Sequence, residues 1–555
     1  MNLSICCLSA KYIHASLAPW CLYSAIKGKC PHINATVIES TINVESSEIE
    51  RKILDSAPDI ISFTCYIWNI EKTLELCSKL KNKTNAIIIL GGPEVSYRTK
   101  DVLTNHDYID YVLSGEGEET FPLFVDGISK SHNIYDISGL SYRSNGEVIS
   151  NPEKEYSLTP PSPYCDEFFE KLNGRISYIE TSRGCPYRCA FCLSGRCSDL
   201  RFFDIEQVKK DIIRLSNSGS KTVKFVDRTF NAKADRANEI LSFILENYGK
   251  DIPKEVCFHF EIAGDILRED TFKILESAPK GLFQLEIGMQ SFNEDTLKAI
   301  NRKTNTKKLI ENIKRLISFS NMHIHIDLIA GLTGEDFESF RRSFNIGYNL
   351  KANMLQMGFL KLLFGADMRE YPEKYPCKFN EKPPYEVIST PWISVDEINA
   401  LKNCEDALDR LYNSGRFLFS LNYLIDECCI EPFTLFYEFG NMINGSKMTL
   451  SQYAEHFFTY FKDKVNPTTL QEHLLCDLLC CSSSLQIPDS LRPKTPQYRQ
   501  AKRLLTDGKS DKIKVAVLPT LGKIIEVNQS GKKDFNGRYP HKFYDIEIIN
   551  KAPAE

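Results

Sequence analysis

No run of eighteen uninterrupted apolar residues occurs in this 555-residue chain, so a membrane-spanning helix is not expected. Its first residues, MNLSICCLSAKYIH, place no basic region ahead of a long apolar run, so a secretory leader is not expected either. Excess charge is also missing. Lys and Arg number 68 against 73 Asp and Glu, for a net charge of −5 and a pI near 6.1. That balance argues against a protein that coats nucleic acid, although a local basic patch is compatible with it. No aromatic-basic repeat marks a nucleic-acid groove, and no carrier-protein or lipid motif is visible.

Cysteine, by contrast, is abundant. Nineteen cysteines, an odd number with no export signal, fit a reducing compartment better than a disulfide framework, and the expected location is the cytoplasm. Hydrophobic residues at 42% and charged residues at 25% are ordinary for a globular protein. The length suits three or four domains, each able to bury its own core.

Three of the cysteines carry a chemical signal. Cys185, Cys189 and Cys192 follow a strand-like apolar run in ISYIETSRGCPYRCAFCLSGRC, at C-x3-C-x2-C spacing. Three thiolates in one short loop suit an iron–sulfur cluster whose fourth iron keeps an open position. A zinc site would pair C-x2-C with a second pair or with histidines. Neither follows, and Cys197 is spaced wrongly for a second pair.

Ahead of this loop, residues 1–130 alternate short apolar runs with amphipathic stretches, the pattern of a doubly wound, Rossmann-like α/β sheet. Strands are expected at 3–8, 35–39, 60–65, 86–90 and 111–113. Ligands sit beyond the carboxyl ends of such strands. The loops there contain Tyr12, His14 and Ser16; Ser62, Thr64 and Tyr66; Gly91, Gly92, Pro93 and Glu94; and Gly115, Glu116 and Gly117. Glycines admit close backbone approach to a bulky ligand, and hydroxyls bond its polar rim. Residues 131–175 loosen into a hairpin-like LSYRSNGEVIS and a proline-rich stretch from Leu158 to Pro163, read as a linker.

From 176 to 365, six repeats of strand and helix predict a partial (β/α) barrel. Its strands are expected at 176–180, 222–226, 256–262, 283–287, 323–329 and 354–360. Active sites gather at the carboxyl ends of barrel strands. Candidates there are Asp227, Glu261, Gln290, Ser291, Asp327 and Leu332. Glu261 stands in an apolar run and needs a partner, either a ligand or an internal cation such as Arg228. Residues 366–555 predict a mainly α-helical domain with a small β element near the end. Cys476, Cys480 and Cys481 on a leucine-rich helix fit buried core cysteines better than a second cluster.

These motifs together resemble a known family. The three-cysteine loop, with Phe191 just before the last cysteine, resembles the cluster loop of the radical S-adenosylmethionine (SAM) superfamily. Gly288–Ser291 resembles the G-x-E/Q-S run beside the SAM ribose and carboxylate, and Asp327–Glu335 resembles the DLI-x-GL-x-GE run near adenine. Asn301-Arg302 is a common companion, and Thr333 stands where proline is usual. The GGP and GEGE strand ends resemble the cobalamin-binding domain found ahead of many radical SAM cores. The carboxyl-terminal part resembles an uncharacterised domain that accompanies some of these proteins.

The resemblance implies three cofactors: a 4Fe-4S cluster on Cys185, Cys189 and Cys192, S-adenosyl-L-methionine at its open iron, and cobalamin over the barrel mouth. The D-x-H-x-x-G motif that supplies a lower cobalt ligand elsewhere is absent, leaving His14 as a pocket or capping residue. The implied activity is methylation of an unactivated carbon, with one SAM molecule regenerating methylcobalamin and another yielding a 5′-deoxyadenosyl radical. Cyclisation or rearrangement, and a non-catalytic cobalamin sensor or scaffold, are the alternatives, since fold and cofactors do not dictate reaction. An electron donor such as flavodoxin or ferredoxin is the implied partner; the substrate is not implied.

Overall fold

The computed structural model describes residues 1–154, 156, 159–172, 174–196, 200–481, 487–492, 498–506, 512–534 and 537–548. Cys197 and Leu158 lie outside the described residues. The first sheet orders its strands Asn34–Thr41, Asn2–Ser9, Ile60–Thr64, Ile87–Gly91, Tyr111–Leu113, Leu140–Ser144 and Glu147–Ser150. The first five run parallel, and the last two add on antiparallel. Chain order reverses across Asn2–Ser9, which puts a crevice beyond the carboxyl ends of that strand and of Ile60–Thr64. Both strands are buried almost throughout, as expected of a sheet covered on both faces by helices.

One difference from the expectation lies in the segment read as linker. Its hairpin-like stretch pairs residue by residue, Leu113 against Leu140 and Tyr142 against Ile149, and so completes the first sheet. Leu140 and Tyr142 point inward and Gly146 turns the hairpin at positive φ; the polar composition reflects an edge ribbon with one wet face. The connection between the two sheets therefore begins after Ser150. It contains the helix Asp166–Leu172, whose Phe168 packs edge-on against Trp20 of the helix Ala18–Lys29.

The second sheet takes its six strands in chain order, all parallel: Ser177–Ile179, Thr222–Phe225, Cys257–Ile262, Phe283–Gln290, His323–Ala330 and Met354–Phe359. Its helices carry their own start signals. Asp204, Asn305 and Asp336 each accept a backbone N–H of the first turn. The two sheets are stitched by a parallel bridge from His14 to Ile176 and by a 2.6 Å hydrogen bond between His14 Nδ1 and Tyr178 Oη. A single hydrophobic core continues from one face of the first sheet through the barrel into the carboxyl-terminal helices.

Beyond the barrel, the segment carrying the helix Asp367–Glu370 and the short strand Val387–Ser389 folds back across both domains. Tyr385 hydrogen-bonds Glu94 of the first domain, and Met368 N–H donates to Ala190 O in the cluster loop at 3.0 Å. The helices Val395–Leu408, Pro432–Ile443, Leu450–Phe461 and Pro467–Cys481 follow. The terminal β element is a three-stranded antiparallel sheet, Ile513–Leu518, Lys523–Asn528 and His541–Asp545. Cys476 and Cys480 pack into its hydrophobic underside with Leu518 and Ile525, and burial raises both thiols. A buried pair, Asp477 Oδ1 to Arg538 Nη1 at 2.8 Å, pins this sheet to the helix beneath.

Candidate functional site

The carboxyl ends of the first sheet face the mouth of the barrel across a cleft of about 780 Å³. Ser16, Ser62, Thr64, Tyr66, Gly91, Gly92, Gly115, Glu116 and Gly117 line one wall. Tyr178, Glu180, Arg183, Gly184, Ser194 and Arg228 line the other. The strand-end loops are thus brought together, with three exceptions. Tyr12 is 71% exposed and stacks under Arg175; Pro93 starts a short helix; Glu94 is buried between Arg98 and Tyr385. Glu94 therefore joins domains instead of lining the cleft.

The cleft suits a large, flat, polar-rimmed ligand. Thr64 Oγ1 is buried there with no conventional hydrogen-bond partner among the described residues, and Ser9, Ser16 and Ser62 ring the same wall. Tyr66 and Trp68 stack at 4.4 Å and 5° to form a flat aromatic plate on it. The glycines are needed on two counts. Gly92 sits at φ +108, and a Cβ there would stand 2.6 Å from Cys65 O, so the tight turn is demanded by the sheet as well as by any ligand.

Arginine holds the two walls together. Arg183 reaches Glu116 at 2.7 Å, Glu118 at 2.5 Å and Glu180 at 2.9 Å, and Arg201 also pairs with Glu116. Burial alone would raise the Glu118 carboxyl, but the Arg183 charge outweighs it and holds Glu118 below its ordinary value. The sequence reading missed Arg183 and Arg201. The signal was the GEGE run itself, because clustered acids at a domain edge need cations opposite.

Arg183 stands two residues before Cys185, at the start of the three-cysteine loop. Asp227, fully buried at the end of the second barrel strand, fixes that start by accepting Thr181 N–H at 3.2 Å, Thr181 Oγ1–H at 2.8 Å and the Ser182 hydroxyl. Burial pushes its carboxyl up to about 6 against those bonds. Cys185 Sγ lies 3.4 Å from Thr229 Oγ1, and Cys189 Sγ 3.7 Å from Arg302 Nη1. Arg302 also donates to Gly288 O at 2.8 Å, which ties the loop to the fourth strand. Ala190 N–H donates to Ile300 O, and Phe191 packs against the core. Among the described residues, Glu286, His325 and Asp327 form the one trio of ligand atoms mutually within 4.8 Å. Three thiols on one turn, with the Arg302 cation beside Cys189, suit an iron–sulfur cluster.

Inside the barrel the predicted residues meet others that the sequence reading did not single out. Glu261 lies 3.7 Å from Lys224, and the Arg228 charge also acts on its carboxyl, though burial still raises it. Lys224 also reaches Glu286 at 3.2 Å, which accepts from His259 at 2.8 Å. Burial would raise Glu286, but His259 and Lys224 hold it at about 2. Asp327 lies 2.9 Å from His325 Nε2 and keeps that imidazole above its ordinary value despite burial. With Lys224 supplying the positive charge, the trio reads as an ion-pair network. Gln290 adopts φ +68 at a register shift in the fourth strand, folding its amide back over Gly288 beside Arg302. Ser291 Oγ donates to Glu335 at 2.5 Å, and Leu332 is wholly buried.

With this geometry in place, the comparisons are specific. Residues 8–125 match the B12 binding domain, 179–345 the radical SAM superfamily, and 373–529 a domain described as a protein of unknown function, DUF4080. Along the chain, then, segments similar to a B12 binding domain, a radical SAM domain and DUF4080 follow one another in that order. It is similar to the cobalamin-dependent radical SAM methyltransferase TokK of Streptomyces tokunonensis, 27% identical over 303 residues, covering 51% of this chain and 44% of that one. It is also 22% identical over 331 residues to an anaerobic magnesium-protoporphyrin IX monomethyl ester cyclase of Cereibacter sphaeroides, covering 56% and 52%. The chain spans about half the length of these relatives. Among solved structures, the cobalamin-dependent SAM radical enzyme OxsB with aqua-cobalamin and SAM shares the fold, with a TM-score of 0.61, 17% identity, and 86% and 80% of the two chains covered. No described helix is long and apolar enough to cross a membrane.

Proposed function

We propose that this chain is a cobalamin-dependent radical SAM enzyme that methylates an unactivated carbon. The observation that carries the reading is the shared cleft: Gly184, next to Cys185, lines the same space as the strand-end turns of the B12-binding domain. When bound, the cluster with SAM supplies a 5′-deoxyadenosyl radical, and cobalamin supplies a transferable methyl group.

The chain's residues have separate tasks in this reading. Cys185, Cys189 and Cys192 would each hold one iron of the cluster. Asp227 fixes the entrance to their loop. Gln290, Glu261 and Asp327 are assigned to the SAM side of the barrel, and Ser291, buried against Glu335, would support them from behind. Ser62, Thr64, Gly91, Gly92, Gly115 and Gly117 receive the corrin rim, and the Tyr66–Trp68 plate gives it a flat apolar contact. The Arg183 clasp closes the edge and excludes water from the radical's path. A one-electron donor of the flavodoxin or ferredoxin class reduces the cluster. The cytoplasm is the proposed location, in keeping with eighteen described cysteines that are all free.

A second reading, cyclisation or rearrangement, is favoured by the similarity to the cyclase. The test is anaerobic reconstitution with iron, sulfide, hydroxocobalamin and SAM under a strong reductant. S-adenosylhomocysteine together with 5′-deoxyadenosine supports methylation, while 5′-deoxyadenosine alone supports the second reading. Zinc in place of iron, or no corrinoid absorbance after desalting, overturns both.

A further inference from the structure

A second groove, of about 1210 Å³, lies on the other side of the cysteine loop and shares no lining residue with the cofactor cleft. One wall is Pro186–Arg188, the chain between Cys185 and Cys189; the other runs from Glu294 to Lys307. Five cations line it: Arg188, Lys298, Arg302, Lys303 and Lys307. Arg188, Lys298, Lys303 and Lys307 are exposed and make no ion pair among the described residues, in a chain whose net charge is −5. The groove's two acids, Asp265 and Glu294, are turned to other work. Asp265 accepts Asn305 N–H at 3.0 Å, and Glu294 accepts the Thr306 hydroxyl at 3.2 Å.

This concentration of positive charge works against local stability. The helix Thr306–Ser318 begins in the groove with Lys307 and Lys308 in its first turn and no acid there. Its neighbours Glu294–Ala299, Glu269–Ser277 and Phe337–Asn349 all carry acids at that position, as the helix dipole favours. A charge arrangement that opposes the fold in one place marks a surface shaped by something that binds there. The floor of the groove is also electrically close to the cluster loop, because Arg302 lines it and lies 3.7 Å from Cys189 Sγ.

We propose that this groove docks a small acidic one-electron carrier protein. The carrier is oxidised by one electron and the cluster beside Cys189 is reduced by one. The inference deepens the function proposed above and rests on it only for the cluster. An acidic surface would be steered to the patch and seated by the unpaired lysines, with the cofactor cleft left free for substrate.

The test uses the full chain, with and without reconstituted cluster, and flavodoxin as probe. Binding is measured from about 50 to about 300 mM salt, the range over which exposed charges become screened. The expected result is binding that weakens with salt and falls at least about tenfold in the Lys303→Glu/Lys307→Glu variant. Cluster bleaching by dithionite should be unchanged in that variant, and the thermal midpoint should not fall, because an acid then stands where the helix dipole favours one. Flavodoxin binding within about twofold of wild type, or independent of salt, overturns the proposal. So does a short RNA that binds in a Lys303- and Lys307-dependent way while flavodoxin does not. Because binding is also read without the cluster, failure to assemble iron would sink the proposed function and leave the groove test intact.

Discussion

Arg183 and Glu118 stand 2.5 Å apart across the boundary between the B12-binding domain and the barrel, and neither is in open water. One belongs to the run that leads into Cys185 and the other to the first turn of the helix Gly117–Lys130, which follows the fifth strand of the first sheet. Their contact makes the position of the cysteine loop depend on the domain ahead of it.

Replacing Arg183 by Met should leave Glu116, Glu118 and Glu180 facing one another with Arg201, paired to Glu116, left to offset them. Breaking a largely buried pair from one side costs on the order of 3 kcal/mol, so thermal unfolding should move down by several degrees. Corrinoid absorbance retained after desalting should fall in parallel. An unchanged midpoint would show that Arg201 alone can hold the walls together.

Cys189→Ala should abolish 5′-deoxyadenosine formation while sparing cobalamin retention. The thiol lies in the loop and the corrin wall in the other domain. Product analysis after anaerobic turnover, with a visible spectrum of the desalted protein, separates the two effects. Loss of both would mean that the cofactor sites are not divided between the domains as described.

Gly92→Ala should destabilise the first domain even without ligand. The residue sits at φ +108, and the added methyl would meet Cys65 O at 2.6 Å. A cost of about 1–3 kcal/mol is expected from backbone strain, read as a lower unfolding midpoint of the apoprotein.

Glu335 gives a pH dependence with a definite sign. Burial pushes its carboxyl from 4.5 up to about 7, opposed by Ser291 and Ser343. The folded chain therefore keeps this proton over a range where the unfolded chain has released it. Stability from this group is full below pH 4.5 and is lost as pH rises through about 7. Unfolding midpoints taken from pH 5 to 8 should fall, and Glu335→Gln should flatten that slope. An equal slope in the variant would assign the effect elsewhere.

Much of the architecture was legible because buried strands write themselves as short apolar runs. ISFT and HIHIDLIA have few other ways to fold, and the helix Ile205–Ser216 follows directly from its apolar spacing. The cysteine spacing and the strand-end glycines were equally readable, since each states a local geometric need. What could not be read depends on contacts between distant segments. The polar hairpin at Leu140 looked like a linker because only its pairing with Tyr111–Leu113 makes it part of a sheet. Glu94 resembled a pocket residue until Tyr385, nearly three hundred residues later, proved to be its partner. Glu261 stands in an apolar run and so needs a cation, but only the folded chain brings Lys224 to 3.7 Å from it with the Arg228 charge alongside.

The backbone of Ala190 is gripped from both sides, its N–H by Ile300 and its carbonyl by Met368. A single residue in the middle of the three-cysteine turn thus rivets the barrel to the segment that follows it. Removing the segment just past the sixth barrel strand would therefore be felt at that turn as well as in the hydrophobic interior. The tail is in this sense part of the mounting of the cysteine loop.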